Sequence, residues 1–242
     1  VEHIGIDIGG TGIKGAPVNI DTGELTAPRF RIDTPKGAHP DDVAKVVKQV
    51  VEHFEVTGPI GITFPGVVLK GVVETAANVA KEWKGVDADT MFTQLLDRPV
   101  HMMNDADAAG VAEMRFGAGH DHQGVVIMIT LGTGIGAAVF HDGVLLPNTE
   151  FGHIEIDGAD AELLAAGRVR DELKLSWKDY AKRVQRYLRR LDALMWPDLV
   201  IIGGGISKES AKWLSYVDVR CPLAVAKFLN NAGIVGAALT AD

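Results

Sequence analysis

A chain of 242 residues, 47% hydrophobic and 23% charged, is long enough for two lobes with separate cores, and its composition excludes long disordered segments. The net charge of −8 argues against nonspecific nucleic-acid binding, and the single cysteine, Cys221, rules out an intrachain disulfide, a four-cysteine zinc site and a C-x-x-C redox pair. The uncharged run over 125–140 is broken by three glycines, so no membrane partner is expected; the setting expected is the cytoplasm, as a monomer or homodimer, and a start at Val1 suggests that a short segment precedes it.

In chain order, a strand through Asp7 runs into Gly10-Thr11-Gly12-Ile13, after which Ala16-Pro17-Val18-Asn19-Ile20 reads as a second strand ending in the turn Asp21-Thr22-Gly23. An amphipathic helix is expected over 40–54, with Pro40 in its first turn and valines at 43, 46, 47, 50 and 51. Strands over 59–64 and 100–103 flank a polar connection containing Asn78, and an alanine-rich helix over 106–116 leads to Gly117-Ala118-Gly119, expected to be a hinge. The expected lobes are 1–117 with 229–242, and 118–228. The second opens with another hairpin around Gly132-Thr133-Gly134-Ile135, 122 positions after the first, so that 6–18 falls on 128–140 and Ala16 on Ala138. A basic stretch over 168–190 holds nine lysines and arginines against three acids, with Trp177, Tyr180, Ala181, Val184, Leu188, Leu191 and Met195 at helical spacing. A buried strand over 198–202 ends in Gly203-Gly204-Gly205, Ser207 is expected to cap a following helix, and 232–239 reads as a small-residue helix that allows close approach.

The first glycine string also satisfies G-x-G-x-x-G, but a dinucleotide turn has to open a helix and both strings here continue as strands. At hairpin tips, Gly9, Gly10, Thr11, Gly12, Gly132, Thr133 and Gly134 can use positive φ and exposed amides to form anion-binding nests, with threonine hydroxyls as further donors. Asp7, between strand and turn, suits a hydrated Mg²⁺, which keeps most of its waters, and Lys14 adds a point charge. Asp105 stands at a strand-to-helix junction, where helix capping is the alternative role, and Glu150 and His153 bracket a glycine with Glu162 downstream. A metal site there lacks H-E-x-x-H spacing, and recognition of a hydroxyl-rich substrate fits better. His120 and His122 read as surface residues.

The strings Asp7-Ile8-Gly9-Gly10-Thr11-Gly12-Ile13-Lys14, Asn104-Asp105-Ala106, Leu131-Gly132-Thr133-Gly134-Ile135-Gly136, Glu150-Phe151-Gly152-His153 and Gly203-Gly204-Gly205 resemble, in this order and over nearly the whole chain, the ROK family of sugar kinases. Strings around Asn78, Asn104 and Pro147-Asn148-Thr149-Glu150 are similar to its polyphosphate-using glucokinases and glucomannokinases. The resemblance implies an α/β, actin-like and ribonuclease H-like two-lobed ATPase fold, with sugar and phosphoryl donor meeting in a cleft between the lobes. It implies Asp105 as the base for the sugar 6-hydroxyl. Asn78, Asn104, Glu150, His153 and Glu162 become sugar ligands, and Gly203, Gly204 and Gly205 the nucleotide side. The implied substrates are glucose or mannose with polyphosphate or ATP, and the cofactor is Mg²⁺. The cysteine-rich zinc segment of many relatives is replaced by Asp157-Gly158-Ala159-Asp160, so structural zinc is not expected. A polyanionic donor makes the basic stretch, Lys182, Arg183 and Arg186 above all, a candidate donor track. An ATP-only hexokinase, a sugar-sensing regulator and an assembling actin-like ATPase are the alternatives.

Overall fold

The structure is a computed structural model and describes residues 1–241. The chain forms two compact units, Val1–Ala112 with Asn231–Asp242, and Glu113–Asn230.

The first unit is built on strands β1 (Glu2–Ile8), β2 (Gly12–Asn19), β3 (Glu24–Leu25), β4 (Phe30–Asp33) and β5 (Ile60–Phe64), a short hairpin of β6 (Val68–Leu69) and β7 (Val72–Val73), and β8 (Val100–Asn104). Its main sheet runs β3-β2-β1-β5-β8, with β4 also on β2. The β1/β2 pair is antiparallel, whereas β1, β5 and β8 are parallel. Alternation along β1 buries Ile4, Ile6 and Ile8 in a core shared with Val43, Val47 and Val50 of helix α1 (Pro40–Glu52). Trp83 and Phe92, the latter on α2 (Ala88–Leu96), extend that core. The opposite face is covered by the last helix, Ala232–Leu239, at a distance only glycine permits. A Cβ on Gly61 would lie 1.8 Å from the Ala237 carbonyl oxygen, and one on Gly5 would lie 1.9 Å from that of Ile234. The same helix meets α3 (Asp105–Phe116), where a Cβ on Gly236 would lie 1.7 Å from the Ala108 carbonyl oxygen.

The second unit repeats the plan with β9 (Val125–Leu131), β10 (Ile135–His141) and β11 (Val144–Leu146), a small ladder of β12 (Glu155–Ile156) and β13 (Ala159–Asp160), then β14 (Leu199–Gly203) and β15 (Leu223–Val225). Its sheet order is β11-β10-β9-β14-β15, again an antiparallel hairpin followed by parallel strands. Helices α4 (Ala161–Ala165), α5 (Gly167–Glu172) and α6 (Trp177–Met195) lie between β13 and β14, and the last helix is α7. Ser176 caps α6, accepting from the Asp179 amide at 3.1 Å, and the helix buries Tyr180, Ala181, Val184, Tyr187, Leu188 and Leu191 against the face carrying Ile127, Ile129 and Leu131. This is the actin-like α/β arrangement.

Three expectations change. The contact boundary falls at 112/113, inside α3, and not at 117. Gly117-Ala118-Gly119 is not a free hinge, because the amides of Gly117 and Gly119 donate to the Glu113 carbonyl and that of Ala118 to the buried Glu113 carboxylate at 2.8 Å. Ser207 caps no α-helix: it lies within a 3-10 run, Gly205–Lys212, and its hydroxyl donates to the Gly204 carbonyl.

Candidate active site

The two glycine turns differ by one residue. The first closes between the paired Ile8 and Ile13 and contains Gly9, Gly10, Thr11 and Gly12; the second closes between Leu131 and Ile135 and contains Gly132, Thr133 and Gly134. A single offset of 122 therefore aligns only the return strands. On the leading strands the inward-facing Ile4, Ile6 and Ile8 correspond to Ile127, Ile129 and Leu131, an offset of 123, because a slip of one residue reverses every side chain of a strand.

Glycine is not used here for positive φ, since none of the five loop glycines adopts it. Space is a reason at two of them: a Cβ on Gly12 would lie 2.4 Å from Arg31 Nε and one on Gly134 2.8 Å from Glu162 Oε2, whereas nothing stands within 4 Å of a Cβ on Gly132. The amides of Gly10, Thr11 and Thr133 donate to no acceptor among the described residues. They are available to an anion, although the nest of alternating backbone handedness expected from the sequence does not form.

Behind the first turn, cross-strand register puts Lys14 opposite Asp7 and parallel register puts Thr63 beside it. Lys14 Nζ lies 2.9 Å from Asp7 Oδ2, and the Thr63 hydroxyl donates to Asp7 Oδ1 at 2.9 Å. Lys14 is thus an ion-pair partner of Asp7 as well as a cation near the turn. Gly233, at the start of α7, leaves room over the carboxylate, its Cβ position being 3.4 Å from Asp7 Cγ. Asn78 sits at φ 61° against the first turn, its Cβ 3.4 Å from where a Cβ on Gly10 would stand.

Asp105 is exposed at the first position of α3. The capping role open to it falls to Asn104, whose Oδ1 accepts from the amides of Ala106 and Asp107 at 2.8 and 3.1 Å while Nδ2 donates to the Gly66 carbonyl. Nearly buried, Asn104 fixes the start of the helix and hence the place of Asp105; its second amide hydrogen has no partner among the described residues.

In the second unit His153 has its Nδ1 3.0 Å from Asp160 Oδ2 and its Nε2 3.8 Å from Glu150 Oε2. The hydrogen bond to Asp160 holds the imidazole above its ordinary value, with Glu162 and Glu150 adding to the rise and burial opposing it. Burial lifts the Glu150 carboxyl, opposed by His153 and reinforced by Glu162. Glu150, His153 and Glu162 are therefore one electrostatic group, and Glu162 reaches from it to Gly134 of the second turn.

A cavity of about 610 Å³ joins that turn to the Gly203–Gly205 motif, with Gly132, Thr133, Arg168, Trp177, Gly205 and Lys212 among its walls. Gly204, at φ 78°, lies against the Leu131 backbone, where a Cβ would come within 2.5 Å. The proposed donor track on α6 is less free than its charge suggests: Lys182 pairs with Asp179, Arg186 with Asp157, and Arg183 donates to the Leu164 carbonyl at 3.4 Å. Thr63 and Arg31 carried no signal in the sequence, whereas Asp160 lies in the segment that replaces the cysteines and Arg168 opens the basic stretch, neither with the partner found here.

The sequence pattern of the ROK family matches residues 3–174. The chain belongs to the ROK family. Among its relatives, the polyphosphate glucokinase of Mycobacterium tuberculosis is 50% identical over 236 residues, covering 97% of this chain and 89% of that protein. The crystal structure of the inorganic polyphosphate/ATP-glucomannokinase from Arthrobacter sp. strain KM superposes with a TM-score of 0.94 at 48% identity, covering 99% and 97% of the two chains. A ROK family glucokinase from Streptomyces griseus shares the fold at 24% identity, with a TM-score of 0.84 over 100% and 99% of the chains. No helix among the described residues is long and apolar enough to cross a membrane.

Proposed function

We propose that this ROK-family chain is a kinase that transfers a phosphoryl group from inorganic polyphosphate or ATP to the 6-hydroxyl of glucose, with mannose as a second acceptor. What carries the reading is its near full-length similarity to proteins that use polyphosphate on hexoses, at a level where half of all residues are identical. The exposed Asp105 carboxylate accepts the 6-hydroxyl proton as the sugar oxygen forms its bond to the terminal phosphorus. The bond from phosphorus to the donor chain breaks in the same displacement, releasing polyphosphate one unit shorter, or ADP. Glu150, His153 and Glu162 bind sugar hydroxyls, joined by Asn78 and by the remaining amide hydrogen of Asn104. Loop amides of the first turn meet the transferred phosphate, and those of the second, with Gly203–Gly205, the rest of the donor.

The residues present fit Mg²⁺. Asp7 is one carboxylate with each oxygen already held, by Lys14 and Thr63, which suits a hydrated ion bound through its waters better than a cage of direct ligands. Bound there, Mg²⁺ would neutralise charge on the donor oxygens.

The test is Asp105→Asn. Turnover should fall by roughly 10²–10⁴-fold while calorimetry still shows glucose binding; near-normal turnover would remove Asp105 as the base. Parallel kinetics with polyphosphate and ATP on glucose and mannose check donor and acceptor, and failure with polyphosphate leaves an ATP-only hexokinase. Charge reversal at Lys182, Arg183 and Arg186 should raise the polyphosphate KM more than the ATP KM if α6 guides the donor.

A further inference from the structure

Both glycine turns are held from behind by an arginine at the same point, although the two arginines come from unrelated elements. In the first, Arg31 of β4 donates from Nη2 to the Thr11 carbonyl at 2.8 Å, and the Thr34 hydroxyl donates to the Gly9 carbonyl at 2.5 Å. In the second, Arg168 of α5 donates from Nε to the Thr133 carbonyl at 2.6 Å, and its own amide donates to the Gly132 carbonyl at 3.0 Å. With Leu131 equivalent to Ile8, these are matching carbonyls: Gly9 with Gly132, and Thr11 with Thr133. Each guanidinium is steadied by an acid, Arg31 by Asp33 at 2.6 Å and Arg168 by Glu172 at 3.2 Å.

A peptide unit is planar and trans, so fixing its carbonyl toward the protein aims its N–H the opposite way. Pinning the Gly9 and Thr11 carbonyls orients the amides of Gly10 and Gly12; pinning those of Gly132 and Thr133 orients the amides of Thr133 and Gly134. It also turns away the carbonyl oxygens, whose partial negative charge would repel a phosphate, and a charged donor on the carbonyl polarises the amide beyond it. Loops lacking the alternating backbone of a nest thereby acquire its electrostatic face by being held from outside.

We propose that Arg31 and Arg168 are matched positioning residues of the two turns, each holding a threonine carbonyl so that the loop amides face the oxygens of the phosphate donor. This rests on the reading that the turns bind the donor, and the experiment separates the two. The probe is inorganic tripolyphosphate, titrated calorimetrically into the protein without glucose, alongside separately measured glucose affinity, melting temperature and donor kinetics. Arg31→Met and Arg168→Met should each weaken tripolyphosphate binding roughly tenfold, the scale of one charge-assisted hydrogen bond, with glucose affinity unchanged. Rescue should follow the bonding atom. Arg168 uses Nε, and the Nε2 of Arg168→Gln stands at the same place along the side chain, so this variant should bind nearly as the wild type. Arg31 uses Nη2, beyond the reach of glutamine, so Arg31→Gln should behave as Arg31→Met and Arg31→Lys should recover. Wild-type affinity in both methionine variants, parallel loss of glucose affinity, or failure of Arg168→Gln to outperform Arg168→Met would overturn the proposal while leaving donor binding by the turns intact. A wild-type protein that binds no tripolyphosphate and transfers no phosphate would overturn both.

Discussion

The first and second glycine turns share Gly-Thr-Gly-Ile, a hairpin, a following parallel strand and an arginine on the threonine carbonyl, yet they are loaded differently. Behind the first stands Asp7, in contact with both Lys14 and Thr63. At the corresponding positions behind the second are Thr130, Gly136 and Gly203, paired in the same registers and carrying no charge. One hairpin pattern therefore occurs in two electrical settings. On the proposed function, the hairpin with Asp7 and Lys14 would meet the phosphate whose bonds change. The other borders the cavity of the Gly203–Gly205 motif and would meet the remainder of the donor. The extra Gly10 widens the loaded turn, and Asn78 stands against it there.

The difference can be broken most directly at its charged end. Asp7→Asn should lower kcat by roughly 10²–10³-fold, the range for removing a preorganised electrostatic group, whereas Thr130→Val at the matching position should leave turnover within about threefold by the same reasoning. Steady-state kinetics on both variants checks this, and equal losses would mean that the turns are functionally alike. A second, smaller contrast uses glycine. A Cβ on Gly132 meets nothing within 4 Å, so Gly132→Ala should keep its melting temperature while raising the donor KM about tenfold by crowding the phosphate. Gly204→Ala instead combines φ 78° with a clash on the Leu131 backbone and should destabilise the fold by about 1–3 kcal/mol. Thermal melts beside donor kinetics separate the two.

The smallest expected effect concerns the group of Glu150, His153 and Glu162. His153 has a raised folded-state value, chiefly through Asp160. Its contribution to stability is complete below the ordinary histidine value near 6.5 and is lost as pH rises through the elevated one. Glucose affinity should decline over the same window if the cationic ring donates to a sugar hydroxyl. Asp160→Asn should move the His153 midpoint, followed by proton NMR, back toward the ordinary value; an unmoved midpoint would show that Glu150 and Glu162 hold the proton instead.

Much of this site was legible because it depends on short, local strings. Gly-Thr-Gly-Ile after an apolar run, Asn-Asp at a strand end and Glu-Phe-Gly-His are each fixed within a few residues; α1 and α6 followed from the 3.6 period, α7 from its run of small residues and the hairpins from the strands on either side of each glycine string. What escaped was set by register or by distant contact. The alignment of the two turns failed on one strand because an added residue is invisible to a constant offset until pairing is known. Asn104 took the capping role open to Asp105, a choice made where the strand ends.

The sequence by itself determined the family, the α/β class, the two glycine turns and the carboxylates and imidazole available for chemistry, since residue identity and local spacing are enough to specify these. Only the tertiary structure decided that Asp7 is shared between Lys14 and Thr63, that Asp160 governs His153, and that Arg31 and Arg168 hold the two turns at the same carbonyl. Those partners lie 7, 56, 7, 20 and 35 positions apart. Strand register and helix placement bring them together, and no local pattern along the chain encodes such meetings.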